Sequence, residues 1–157
     1  MKTDHLDYRC EDSHLAEVGL IGIAEYQYEN HYAMVVEGDR SPHRALLFFL
    51  NGKCVLSQRH QQLLALPNAF VSPTITAQSI IMNGAHARPG SIIIEKSEIF
   101  MVALKEGDWQ YVSLHDGTVS RHNMSFQPYT QTWQLLCPDH SGALEILYSF
   151  EPDSPTS

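Results

Sequence analysis

The amino-acid sequence predicts an all-β fold, an antiparallel barrel-like or sandwich domain of about ten short strands with one short helix. Three observations carry that expectation. Short runs alternate apolar and polar residues, Asn-Gly and Asp-Gly dipeptides punctuate them, and several runs are rich in isoleucine and valine. The chain has 157 residues, about one domain's worth, and 43% of them are apolar, enough for one core.

Residues 1–12 are polar and read as a flexible N-terminus. Asp12 or Ser13 could cap a short helical stretch limited by Gly19 and Gly22. Residues 24–29 alternate Ala24, Tyr26 and Tyr28 with Glu25, Gln27 and Glu29, which marks a half-buried strand. Glu29-Asn30 is the expected reversal, after which Tyr32, Met34 and Val36 continue the alternation.

Asn51-Gly52 is the strongest local signal. Both central residues of a type I′ turn need φ > 0, which these two tolerate. The register it sets places Phe49 opposite Cys54, Phe48 opposite Val55, and Leu47 opposite Leu56. Residues 46–50 are apolar on both faces, so this strand belongs in the middle of the structure. Residues 57–66 are the expected helix, with Leu63, Leu64 and Leu66 inward and Pro67 ending it.

Strands follow at 69–71, 78–82, 91–96 and 99–104, with Asn83-Gly84 as a second turn signal. Glu106-Gly107-Asp108 and Asp116-Gly117 frame a strand at 109–114 and its return at 118–126. The Asp116-Gly117 turn is expected to pair Leu114 with Val119 and Tyr111 with His122. Strands at 132–137 and 143–150 complete one β domain over 13–150. Residues 151–157 have no apolar content and read as a disordered tail.

The formal charge is −8, and residues 1–40 carry −6 of it, three basic side chains against nine acids. A negative field repels phosphate backbones, so nucleic acid is not the expected partner. Nine histidines make that field acid-sensitive, because an unperturbed imidazole titrates near pH 6.5. Cysteines 10, 54 and 137 form no CxxC pair. With no secretory pattern and no apolar run of about 18 residues, the expected setting is cytoplasmic, with no membrane partner.

Among candidate metal ligands, His86, Glu95, His115 and His122 are loosely similar to the cupin metal site. His86-Ala87-Arg88 stands where cupins carry a His-x-His pair, and arginine does not ligate cations. On the hairpin register above, His115 and His122 lie about 13 Å apart, too far for one ion. No metal and no cofactor are therefore expected, with His86, Glu95 and His122 as the alternative set. Cys137 near His140 is a further pair to weigh, because imidazole activates a neighbouring thiol.

Trp109, Tyr111, His115, His122 and Met124 share one hairpin face. Aromatic bodies mixed with imidazoles suit the wall of a ligand site or a protein interface. The residues thus predict a non-catalytic binding domain that recognises a protein partner or a small organic ligand, with homo-oligomer formation as a further expectation. Two alternatives stay open. One is a β-barrel enzyme, cupin-like or a metal-free isomerase or cyclase with His and Tyr in a cavity. The other is a structural subunit of an assembly.

Overall fold

Alternating side chains and frequent reversals leave little room for helix, and the chain folds accordingly. A computed structural model describes residues 6–38, 43–95, 97–120 and 126–151. The described strands are β1 (Arg9–Asp12), β2 (Ile21–Tyr26), β3 (Glu29–Glu37), β4 (Arg44–Leu50), β5 (Lys53–Ser57), β6 (Gln62–Leu66) and β7 (Phe70–Pro73). They continue as β8 (Ile80–Ile81), β9 (Ile92–Ile94), β10 (Ile99–Lys105), β11 (Asp108–Ser113), β12 (Val119–Ser120), β13 (Tyr129–Thr130), β14 (Trp133–Pro138) and β15 (Leu144–Phe150).

Twelve strands form one mixed, mainly antiparallel sheet, and β15, β14 and β7 form a second. The large sheet runs β1-β6-β2-β3-β4-β5-β10-β9-β13-β8, with β11 and β12 attached to β10. Among the described residues its two ends do not pair, so of the two expected forms, barrel-like or sandwich, the closed barrel is not formed. One parallel contact, Leu104 beside Val55, joins β10 to β5. On the same edge of β10, β9 pairs with Ile99 to Met101.

The central hairpin has the expected register, with Phe49 opposite Cys54, Phe48 opposite Val55 and Leu47 opposite Leu56. Gly52 takes φ 78°, but Asn51 does not join it in the left-handed region, so the turn is not of the I′ form. Leu46, Leu47, Phe48 and Phe49 are at most 1% exposed. Leu47 and Phe49 enter the core between the two sheets. Leu46 and Phe48 enter a second core on the opposite face, with Ala33, Val35, Leu63 and Ala65.

The inter-sheet core centres on Trp133. Its ring stacks on Phe150 at 5.1 Å and meets Phe49 edge-on at 5.0 Å. Its indole N–H donates to the Gly90 carbonyl at 2.8 Å, which removes the cost of burying that donor. Gly90 has φ 99°, and a Cβ there would overlap the Phe150 ring.

Several expectations are corrected. The 57–66 helix is absent: residues 62–66 are β6, with Leu63 and Ala65 buried and Leu64 40% exposed. A short leucine-rich run fits either period, and pairing with β1 and β2 decides it. The stretch after Asp12 makes one turn, in which Ala16 N–H donates to the Asp12 carbonyl, rather than a helix. The reversal expected at Glu29-Asn30 falls at Gln27-Tyr28. That position sets Met34 against Ile21; the later turn would have set it against Glu25.

Asn83 does not head a hairpin. Its side chain accepts from Ala85 N–H and caps a single 3-10 turn, Gly84–His86. Ordered structure also reaches into the expected flexible N-terminus, because Arg9–Asp12 pairs with β6. In the β11–β12 hairpin Tyr111 faces Ser120, not His122, and Ser113 N–H donates to the Thr118 carbonyl. Asp116 Oδ1 accepts from both Thr118 N–H and Thr118 Oγ1, widening the loop by two residues.

Candidate interaction surface

The expected ligand face is only partly a surface. Trp109 is 44% exposed, opposite Leu104 on β10. Tyr111 packs against the cluster of Ile93, Phe100, Val102 and Tyr129, and is half-buried there. His115 is exposed in the β11–β12 loop. His122 and Met124 lie outside the described residues.

The alternative metal set separates. His86 is exposed on the 3-10 turn. Glu95 and His115 instead line an open depression of about 430 Å³ with Ile75, Ile94, Glu98 and Leu114. Among the described residues, no three His, Cys, Asp or Glu side chains are placed to hold a metal ion. His122, the third member, lies outside them.

Cys137 and His140 each hydrogen-bond elsewhere. His140 Nε2 lies 3.1 Å from Asp7 Oδ1, while Cys137 Sγ contacts the Pro138 carbonyl at 3.6 Å. Burial, with Glu145 and Asp7 nearby, pushes the Cys137 thiol up from its usual range. A protonated thiol is a poor nucleophile. Burial pushes Cys54 up as well, and it faces Met101 Sδ at 3.4 Å in the core.

A different end of the large sheet gathers polar and aromatic groups. The β2–β3 reversal puts both Gln27 (φ 50°) and Tyr28 (φ 70°) in the left-handed region without glycine. Such residues cost on the order of 1–3 kcal/mol each and cluster at functional sites. Tyr28 is 95% exposed. Behind it Tyr26 is anchored on Phe48, ring centroids 5.1 Å apart, and His31 meets Tyr26 edge-on at 6.5 Å.

Shallow depressions flank this tip. One, about 370 Å³, is lined by Tyr26, Glu29, His31, Asn51 and Lys53. The other, about 300 Å³, is lined by Glu25, Tyr28, Ser57 and Arg59. Arg59 pairs with Glu25 at 3.5 Å. Gln61 mimics a strand neighbour: its amide accepts from Glu25 N–H at 2.7 Å and donates to the Glu25 carbonyl at 2.8 Å.

The same β5–β6 connection carries His60 into a stack of imidazoles. His14 lies between His60 and His43, with centroids 4.5 and 4.8 Å away. His60 Nε2 lies 2.8 Å from Asp12 Oδ2, and Asp12 Oδ1 accepts from His14 N–H at 2.8 Å. The His60 bond, then the His14 amide, hold the Asp12 carboxyl below its ordinary range. Sequence reasoning missed both features. Residues 14, 43 and 60 share no spacing pattern, and Gln-Tyr is not a turn dipeptide. The abundance of histidine was the one available hint.

No protein-family model, curated protein or solved structure matches the chain. Among the described residues, no helix is long and apolar enough to cross a membrane.

Proposed function

We propose that this chain is a non-catalytic recognition domain that binds a protein partner through the sheet end bearing Tyr28. The observation that carries the reading is Tyr28 itself: almost fully exposed, on a hairpin tip, in a backbone conformation that disfavours a bulky residue. Tyrosine is a frequent anchor at interfaces, where its ring buries and its hydroxyl hydrogen-bonds. Lys53 borders the tip on one side and the Arg59–Glu25 pair on the other, giving a polar rim, while the tip's own strands are fixed by the Phe48 core. A rigid base lowers the ordering cost of binding.

The small-ligand reading has less support. Tyr111, expected to line a wall, packs into a side-chain cluster, and the interior near it holds Ile93, Phe100 and Val102. The reading is tested by affinity capture with wild-type protein, Tyr28→Ser and Trp109→Ser, compared quantitatively. Partners should fall at least tenfold with Tyr28→Ser and persist with Trp109→Ser. Equal capture by all three, or loss confined to Trp109→Ser, contradicts it.

A further inference from the structure

We propose that the His14–His43–His60 stack is a pH-sensitive latch on the loop bordering the Tyr28 surface. This rests on the reading of that surface as the recognition site. The stack joins three segments distant in sequence: the turn after β1, the residue preceding β4, and the β5–β6 connection.

The bonds define its neutral-pH state. His14 Nε2 lies 3.0 Å from the Gln58 carbonyl, which only accepts, so this nitrogen carries a proton and donates. His60 Nε2 likewise donates to Asp12 Oδ2. Two of the ties on residues 58–61 are thus imidazole bonds. Others are Ser13 N–H to the Gln61 carbonyl and Gln61 N–H to Ser13 Oγ, both 2.9 Å. Arg59, one residue before His60, borders the depression beside Tyr28.

Protonation has opposite effects on first and later protons. An imidazolium at His60 strengthens the bond to Asp12, because charge-assisted hydrogen bonds exceed neutral ones. Further protons set like charges ring against ring at 4.5 and 4.8 Å, with Asp12 the one carboxylate hydrogen-bonded to the stack among the described residues. Of the other charged groups on these segments, Glu17 follows His14 in the turn after β1 and Glu37 stands opposite Arg44 across the β3–β4 pair. Glu11 pairs with Arg9, Glu25 pairs with Arg59, and Arg44 adds positive charge beside His43. Asp39 and Arg40 lie outside the described residues. A stack carrying more than one such charge therefore separates, frees residues 58–60 and loosens the Ser13–Gln61 bonds beside them, which leaves Gln61 and Arg59 held by Glu25 alone.

Hydrogen exchange on the whole protein at pH 7.5 and 5.5, corrected for intrinsic rates, tests this. Peptides spanning 57–61 should lose protection at least tenfold at the lower pH, while β3 and the β4 residues 47–50 stay protected. His14→Gln keeps a donor for the Gln58 carbonyl but does not titrate, and should remove most of that difference. His43→Gln should do the same if His14→Gln fails to fold. Unchanged wild-type protection at 57–61, or a full pH response persisting in the folded variants, overturns the latch. These readouts use free protein. Failure of the latch is therefore distinct from failure of the recognition reading, which shows as Tyr28-independent capture at pH 7.5.

Discussion

At the residue scale, strain and burial give direct tests. Tyr28 holds φ 70° with no compensating buried contact, since its side chain is 95% exposed. Glycine adopts that conformation freely but has more unfolded-state entropy. Tyr28→Gly should therefore stabilise the fold by about 0.5–1 kcal/mol, measured by urea unfolding, while losing partner capture. A destabilised variant would contradict the strain argument. Tyr32 and Tyr148 provide the pH test. Burial pushes both phenols up to about 12, and Tyr148 also donates to the Leu50 carbonyl at 2.7 Å. A raised folded value favours the neutral phenol. The stability this contributes is complete below the unfolded value near 10 and is lost as pH rises through the folded one. Stability should thus fall between about pH 10 and 12, in step with late tyrosinate absorbance. Tyr148→Phe should shrink that fall.

At the element scale, the Asn51-Gly52 turn sets the register that buries β4 on both faces. Gly52→Val places a β-branched residue at φ 78° and should cost about 1–3 kcal/mol by thermal or chemical unfolding. Unchanged stability would refute the turn's role. This hairpin was legible because its information is local: a turn dipeptide between two apolar runs. Most strand positions were legible for the same reason. The 62–66 strand was not, because Leu63, Leu64 and Leu66 satisfy a helical face, and the pairing of Ala65 with Arg9 and Gly22 that overrides it is long-range. The Gln27-Tyr28 turn was hidden because register with Ile21 imposes it against local preference. Likewise Tyr111 looked like a pocket wall from its hairpin alone, whereas its burial depends on Phe100 and Val102 on a neighbouring strand.

At the scale of the whole molecule, three clusters of buried side chains back the sheets, and the depressions beside Tyr28 open on the surface. Among the described residues the ends of the large sheet do not pair, and the strands behind Tyr28 are fixed by the packing of Tyr26 on Phe48. The composition pointed to an acid-sensitive charge field; tertiary structure concentrates three of the nine histidines beside the candidate surface. The most direct measurement places a photoreactive phenylalanine at position 28 or, as a control, at position 109. Light-dependent adducts of discrete mass should form from position 28 and be depleted from position 109. Adducts confined to position 109, or none from position 28, would contradict recognition through the Tyr28 hairpin.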